Sequence, residues 1–274
     1  MAKRSYRLSL DDNIWFLQDI AQHADIYRSL FDNPYLGMYR AIHEQFGTKV
    51  HVNIYEECPE FGGFHLSQMP DRFKKEWQAN ADWLRLSFHA KANLPPRPYL
   101  TAGYDQVKSD CQRVMQEIRR FAGDAALAKV TTLHFAEATK EGVRALRDCG
   151  FKALLGTFML NKDGQHKGAY YLNRAQVDQI HRDSFYTDPE TQMIFFAYDI
   201  VLNMFKPMEI GPELDRMAAL YPNRDFIDIL IHEQYFYPHY VAYLPDYRQR
   251  VLAGIQWCVS RGFEPAFAGD LLGL

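Results

Sequence analysis

The sequence lacks the features that mark secreted, membrane-spanning and disulfide-stabilised proteins. It has no run of about 18 apolar residues, the length needed to cross a bilayer, and its first residues contain no apolar stretch of the secretory type. Its four cysteines, at positions 58, 111, 149 and 258, are scattered and form no CxxC pair. We therefore expect a reduced, cytoplasmic protein without a membrane partner.

The chain also lacks a strong net charge and low-complexity sequence. Its 274 residues include 31 lysines and arginines against 34 aspartates and glutamates, a formal net charge of -3, which gives no electrostatic reason to expect nucleic acid as a partner. Hydrophobic residues make up 47% and charged residues 24%, as in an ordinary globular protein, and no linker-like stretch divides the chain. The sequence predicts a single domain over residues 1–274.

Aromatic residues are plentiful, at 15% of the chain. Most are expected in the core, since burial is the commonest use of a ring, but aromatic faces also stack on sugar rings. The aromatic content is therefore compatible with a carbohydrate or other small-molecule substrate. It also leaves room for a homo-oligomer.

Strand-like and helix-like segments alternate along most of the chain, which implies parallel strands joined by right-handed crossovers. One break in the alternation is a hairpin signal, in which residues 157–160 and 169–172 flank a turn at Asp163-Gly164. The sequence predicts an α/β, barrel-like fold of about seven parallel strands with a β-hairpin insertion. The predicted strands cover residues 6–10, 49–55, 83–88, 130–135, 151–156, 194–202, 226–231 and 264–268, and the predicted helices cover 31–46, 71–82, 104–121, 140–149, 211–220 and 246–261.

Three predicted strands end in groups that can hold a metal ion or a proton. The first ends at Asp11-Asp12, the third at His89 with Asn93 four residues later, and a late strand at His232. Adjacent carboxylates repel each other, so such a pair commonly holds a metal ion or a proton. Because the C-terminal ends of parallel strands converge on one face, these groups predict an enzyme site there.

Simpler interpretations of the same residues remain open. The aspartate pair could cap the helix that follows, and each histidine could be a hydrogen-bonded structural group. Other polar residues are candidates for the same face of the fold. His134 and Glu137 follow another strand, Glu233 follows His232 directly and could support it, and Glu56 and Glu57 lie at a further strand end or on a loop surface.

The order and spacing of these motifs resemble those of the polysaccharide deacetylase family, the NodB-homology domain. The strand ending in Asp11-Asp12, the strand ending in His89, and Ile229-Leu230-Ile231-His232 resemble the family's first, second and fifth motifs, in the family's order. Cys149-Gly150-Phe151 resembles the turn that follows its third motif. The resemblance covers nearly the whole chain and implies a distorted (β/α) barrel.

The resemblance also implies a role for each matching residue. Asp11 matches the general base, Asp12 and His89 match metal ligands, and His232 matches the acid that protonates the leaving amine. Asn93 stands where the family has its second metal histidine, and no arginine follows the strand that ends near His134. The implied activity is metal-dependent deacetylation, with a divalent ion, zinc first, as the cofactor.

Two other classes of protein fit the same residues. A non-catalytic carbohydrate-binding protein could keep the fold without a complete metal set, as Asn93 and the missing arginine would allow. A metal-free glycoside hydrolase could instead pair Asp11 or Asp12 with Glu56 or Glu137. Metal content separates the deacetylase from both.

Overall fold

A computed structural model describes residues 4–60, 62–160, 166–222 and 224–273. The strands in these ranges are β1 Ser5–Asn13, β2 Val50–Tyr55, β3 Glu57–Cys58, β4 Phe64–His65, β5 Leu84–Ala90, β6 Val130–Thr132, β7 Ala153–Gly156, β8 Met159–Leu160, β9 His166–Lys167, β10 Phe185–Thr187, β11 Ile194–Ala197, β12 Ile200–Val201, β13 Phe226–His232 and β14 Glu264–Pro265. The helices are α1 Trp15–Gln22, α2 Pro34–Phe46, α3 Lys74–Ala79, α4 Tyr104–Phe121, α5 Lys140–Asp148, α6 Arg174–Asp183, α7 Pro207–Leu220, α8 Tyr247–Ser260 and α9 Ala268–Leu271.

Two mostly parallel sheets form the centre of the fold. One has the order β12-β13-β1-β2-β5 with β14 beside β1, and the other has the order β10-β11-β7-β6. The pairs within the first path are parallel, and in the second only β10 runs antiparallel to its neighbour. The predicted α/β class is confirmed. Closure into a barrel stays a prediction, because the strands form two sheets.

The two sheets meet beside β5. Leu86 of β5 forms an isolated parallel bridge with Leu127, just before β6. The backbone N–H of Ala128 donates to the Leu86 carbonyl at 2.8 Å. This contact places the C-terminal ends of β5 and β6 side by side, and both strands contribute to the site described below.

Strand β1 is buried on both faces, and the two faces differ in chemistry. Tyr6, Leu8 and Leu10 belong to the hydrophobic core. The alternate residues Arg7, Ser9 and Asp11 are also buried, at 0 to 3% exposure. Since successive strand side chains point to opposite faces, one face of the sheet is a buried polar layer that must satisfy its own hydrogen bonds.

The helices of the sequence prediction differ from the observed helices mainly in their ends. The helix at 104–121 is observed with those bounds as α4. Gly47 follows α2, and its φ of 67° gives the left-handed cap that glycine adopts without strain. The sequence did not predict α1 or α6. Helix α1 is only 8 residues long, and α6 has Val177 and Ile180 as its buried residues.

A hairpin is confirmed at the predicted first strand, but its second strand lies at 166–167 and the predicted strand at 169–172 is wrong. Met159–Leu160 pairs with His166–Lys167 in antiparallel fashion, whereas residues 169–172 form no strand. The predicted turn at Asp163-Gly164 lies outside the described residues. Within the described ranges, no helix combines the length and apolar character needed to cross a membrane.

Candidate metal centre

Two irregularities at the ends of neighbouring strands aim the candidate site residues. In the pairing of β1 with β2, Leu10 opposes Val52 and Asn13 opposes Ile54, so β1 carries one extra residue at Asp11-Asp12. Asp12 takes up the strain with a left-handed φ of 61°. A bulge of this kind turns a side chain away from strict alternation, so adjacent aspartates can serve one site.

The second irregularity lies between β2 and β5. Ile54 opposes Phe88 and Tyr55 opposes Ala90, so the extra residue is His89. His89 is 2% exposed. Both bulges lie at the same end of adjacent parallel strands, which directs Asp12 and His89 toward each other.

Asp12, His89 and His134 form a cluster with metal-binding geometry. Their ligand atoms lie within 4.8 Å of one another. The Oδ1 atom of Asp12 is 3.0 Å from His89 Nε2 and 3.1 Å from His134 Nδ1. Both imidazoles are buried, and each turns one nitrogen toward the same carboxylate oxygen.

Backbone carbonyl oxygens orient both imidazoles from behind. The carbonyl of Thr132 lies 2.5 Å from His89 Nδ1, and the carbonyl of Asn93 lies 3.3 Å from His134 Nε2. A carbonyl only accepts, so each of these nitrogens carries a hydrogen. The opposite nitrogen faces Asp12, to which it donates when the ring is protonated, and its lone pair is available to a cation when the ring is neutral. This arrangement is typical of metal-binding histidines.

His134 reaches the cluster through a sharp turn after β6. The next two residues, Phe135 and Ala136, have left-handed φ values of 62° and 51°. Such conformations cost about 1–3 kcal/mol each in a non-glycine residue and are maintained only by the surrounding structure. They end β6 abruptly and direct His134 over the sheet edge.

Two further polar side chains complete the surroundings of Asp12. The Tyr55 hydroxyl donates to Asp12 Oδ1 at 2.5 Å and lies 3.0 Å from His134 Nδ1. Gln234 Nε2 donates to Asp12 Oδ2 at 2.8 Å. Both carboxylate oxygens therefore have protein partners, which fixes the plane of the carboxylate.

The charges in the cluster reinforce one another. Burial alone would raise the pKa of Asp12, but hydrogen bonds from His134 and His89 and the charge of His232 hold it well below its usual value. Burial opposes the charged form of His89, yet the Asp12 hydrogen bond and the charges of Asp11 and Asp12 raise its pKa. The site therefore favours positive charge beside the Asp12 carboxylate.

Asp11 and His232 flank this cluster on adjacent strands. They are direct partners in the parallel pairing of β1 with β13. Asp11 is 3% exposed, and its Oδ1 accepts from Asn53 Nδ2 at 2.5 Å and from Ser9 Oγ at 3.2 Å. His232 is partly exposed and its Nδ1 lies 2.8 Å from Asn203 Oδ1.

The structure places other predicted candidates around or away from the cluster. The Oδ1 atom of Asn93 lies 3.4 Å from the Tyr55 hydroxyl, at the edge of the site. Glu137 is 9% exposed and lies 3.6 Å from Arg97. Glu56 pairs with Arg113 at 3.1 Å, and Glu57 lies 3.5 Å from Lys91, so both face surface cations.

Glu233 is fully buried and caps helix α1. Its carboxylate accepts from the backbone N–H groups of Ile14, Trp15 and Phe16 at 2.6, 3.0 and 2.6 Å. These are the free donors at the helix N-terminus. The cap fixes the segment that follows Asp12, so Glu233 supports the site through the backbone.

Sequence reasoning did not single out Tyr55, Gln234, Thr132 or Asn203. A signal existed for Tyr55, which ends strand β2, and for Gln234, which lies two residues after His232. Thr132 contributes only its carbonyl, which no side-chain pattern could indicate. Asn203 lies in a short segment after β12 and meets His232 only through the fold.

The donor set suits a divalent cation. One carboxylate and two imidazoles, each imidazole fixed by a second hydrogen bond, form a common set of protein ligands for zinc and related ions. Without an ion, three buried polar groups converge on one carboxylate oxygen. A cation at this point would satisfy both imidazole lone pairs and the carboxylate charge together.

Comparisons with known proteins show similarity at the level of structure. No family model matches the chain, and no curated protein matches it in sequence. A putative polysaccharide deacetylase from Mycobacterium smegmatis matches with a TM-score of 0.53 and 10% identity, over 98% of this chain and 90% of that one. A mutant of BA3943, a CE4 family pseudoenzyme of Bacillus anthracis, matches with a TM-score of 0.52 and 11% identity, over 99% and 68%.

A third match is to a longer protein. The 4-alpha-glucanotransferase of Thermococcus litoralis matches with a TM-score of 0.62 and 14% identity over 100% of this chain. The chain spans 40% of the length of that enzyme.

The matches to the deacetylase and to the CE4 pseudoenzyme confirm, in the architecture, the similarity to polysaccharide deacetylases that the motifs indicate. The chain has the fold of the CE4 polysaccharide deacetylases.

Proposed function

We propose that the protein is a metal-dependent hydrolase that removes an acyl group from an amino sugar or another small amide. The observation that carries the proposal is the meeting of Asp12, His89 and His134 within 4.8 Å, on the face of the fold that also holds Asp11 and His232. Asp12, His89 and His134 would hold the divalent ion, with zinc the first candidate. An ion held there would polarise the amide carbonyl and lower the pKa of a bound water molecule.

Asp11 is the proposed general base. Its two hydrogen bonds, from Asn53 and Ser9, both fall on Oδ1. The carboxylate accepts the proton of the water that attacks the amide carbon, while Asp12 is committed to the cluster. This division explains why two adjacent aspartates are useful at one strand end.

His232 is the proposed general acid. An amide nitrogen is a poor leaving group, so it needs a proton as the carbon–nitrogen bond breaks. The contact of His232 Nδ1 with Asn203 Oδ1 at 2.8 Å leaves Nε2 as the nitrogen able to deliver that proton. The products are a carboxylic acid and a free amine.

The substrate class is proposed from the fold and from the proposed location of the protein. Carbohydrate is proposed because solved structures with this fold include a putative polysaccharide deacetylase. The four scattered cysteines, which form no CxxC pair, support a reducing, cytoplasmic location. A small acylated sugar or oligosaccharide suits that location better than a cell-wall polymer.

Two specific observations favour other functions. The match to a 4-alpha-glucanotransferase supports a metal-free enzyme acting at glycosidic bonds with carboxylates such as Asp11 and Glu137. The match to a CE4 pseudoenzyme supports a carbohydrate-binding protein without turnover. Neither alternative accounts for two buried imidazoles directed at one oxygen of Asp12.

Acetate release is the direct test of the proposed function. Protein reconstituted with zinc, and the same protein treated with a chelator, are incubated with oligomers of N-acetylglucosamine. We expect acetate from the zinc-loaded protein and none from the chelated protein or from zinc-loaded Asp11→Asn. Binding of the oligomers without acetate release would support a carbohydrate-binding protein without turnover. Metal-independent cleavage of a glycosidic bond would support a metal-free glycoside hydrolase.

A further inference from the structure

We propose that a one-way chain of buried hydrogen bonds, running from Arg7 through His51, Ser87 and Asn53, positions the carboxylate of Asp11. The inference rests on the proposed function, in which Asp11 is the general base. Arg7 and Asp11 lie on the same face of β1, and the intervening residues come from β2 and β5. All five side chains are between 0 and 3% exposed.

The direction of the chain is set at its arginine end. Arg7 Nε lies 3.2 Å from His51 Nδ1, and a guanidinium can only donate. His51 Nδ1 must therefore accept, which requires the neutral tautomer with its hydrogen on Nε2. Burial and the positive charges of Arg7 and Arg85 hold the pKa of His51 well below its usual value, in keeping with a neutral ring.

The next two links follow from that tautomer. His51 Nε2 donates to Ser87 Oγ at 2.9 Å, so the serine hydrogen is free to point onward. Ser87 Oγ donates to Asn53 Oδ1 at 2.5 Å. The backbone N–H of Thr132, which can only donate, also approaches Asn53 Oδ1, at 3.4 Å.

The last link reaches the proposed base. Because two donors fix the Asn53 amide with its oxygen toward Ser87, its Nδ2 must face Asp11, where it donates to Oδ1 at 2.5 Å. Ser9 Oγ donates to the same oxygen at 3.2 Å. The chain thus holds the carboxylate through Oδ1 and leaves Oδ2 as the oxygen that takes a proton.

The charge of Arg7 strengthens the hydrogen bonds that lead to Asp11. A buried guanidinium is costly and is usually paired, as it is here with Asp228 at 2.5 Å. Hydrogen bonds aligned in one direction polarise one another in a low-dielectric interior, so each donor in the chain is strengthened. Residues 133–137, which directly follow β6, include no arginine, although the deacetylase pattern has one there. The hydrogen-bond chain instead links Asp11 to the cation of Arg7 within the sheet.

The kinetic test removes one link at a time in the zinc-loaded enzyme. Ser87→Ala and His51→Leu are expected to lower kcat for deacetylation by about 10- to 100-fold, with KM and bound zinc unchanged. His51→Gln, whose amide can accept from Arg7 and donate to Ser87, should stay within about threefold of wild type. The control Thr48→Val removes a buried hydroxyl that contacts Tyr6 at 2.8 Å and should leave kcat unchanged.

A second readout is independent of turnover and of whether each variant folds. The ¹⁵N NMR signals of His51 in the wild-type protein should show a neutral ring with the hydrogen on Nε2 at pH 7. A hydrogen on Nδ1, or a charged ring, would contradict the proposed direction of the hydrogen-bond chain, whatever the activity of the enzyme. Equal kcat in Ser87→Ala and wild type would overturn the positioning role, whereas an inactive wild type with the expected tautomer would overturn the proposed function instead.

Discussion

The Nδ1 atom of His134 lies 3.1 Å from the Oδ1 atom of Asp12, so the second imidazole of the candidate centre comes from the turn after β6. The family pattern places that imidazole at the position of Asn93, after β5. Parallel packing of β5 and β6 brings both positions to one edge, and the Asn93 carbonyl orients the His134 ring. A histidine from a neighbouring strand can therefore occupy the position that Asn93 leaves without an imidazole.

Asp11→Asn should separate proton transfer from metal binding. The amide cannot accept the proton of water, but it preserves the shape of the side chain and leaves Asp12 in place. We expect kcat to fall by about a thousandfold while bound zinc is unchanged. Steady-state kinetics with metal analysis of the same sample checks this, and loss of zinc from Asp11→Asn would contradict the division of roles between the two aspartates.

His232→Ala should affect substrates according to their leaving group. Hydrolysis of an unactivated amide requires protonation of nitrogen, whereas an ester with a good leaving group does not. The variant should lose about 100-fold or more in kcat on the amide and much less on the ester. Similar losses on both substrates would argue against His232 as the general acid.

Glu233→Ala should destabilise the protein without removing the metal. The substitution leaves up to three buried N–H groups of α1 without their acceptor, and each unsatisfied buried donor costs about 1–3 kcal/mol. We expect a loss of about 3 kcal/mol or more in the free energy of unfolding, measured by urea titration. Glu233→Gln, which keeps one acceptor oxygen, should lose less; equal stability of Glu233→Ala and wild type would remove the capping role.

His51 should make stability fall at mildly acidic pH. Its pKa is held well below the usual value in the folded protein, so below about pH 6.5 the unfolded chain binds a proton that the folded chain does not. The stability contributed by the neutral ring is therefore complete above that pH and is lost as pH falls. Between about pH 6.5 and 5.0 the loss amounts to up to about 2 kcal/mol.

His51→Gln is the matched control for this pH dependence, since glutamine does not titrate. The difference in unfolding free energy between wild type and His51→Gln should change by that amount over the same pH range. Parallel stability curves for the two proteins would show that His51 titrates normally in the folded state.

The fold was more predictable than the composition of the site. Short apolar runs identify the strands that end near Asp12, His89 and His232, because the strands of a parallel sheet are buried on both faces. Helix α6 escaped prediction because its buried residues, Val177 and Ile180, are too few to form a helical stripe. The division of the central strands into two hydrogen-bonded sheets depends on strand pairing that a sequence does not display, and closure into a barrel stays a prediction.

The candidate site depends on backbone features that a side-chain pattern does not contain. The bulges at Asp12 and His89 break strict alternation, and the left-handed residues after His134 turn its ring toward Asp12. A strand-end rule could therefore suggest His134 as an accessory residue but could not show that it contacts Asp12. Tyr55 was missed for another reason: in the sequence it is one more aromatic residue in a core strand.

Metal content in two matched variants tests the central proposal most directly. Protein purified without chelator and reconstituted with zinc is analysed beside His134→Ala and Asn93→Ala, with folding checked by circular dichroism. The structure predicts about one zinc per chain in wild type and in Asn93→Ala, whose backbone carbonyl still orients His134, and none in His134→Ala. Full zinc in His134→Ala, or no zinc in any of the three proteins, would contradict a centre built from Asp12, His89 and His134.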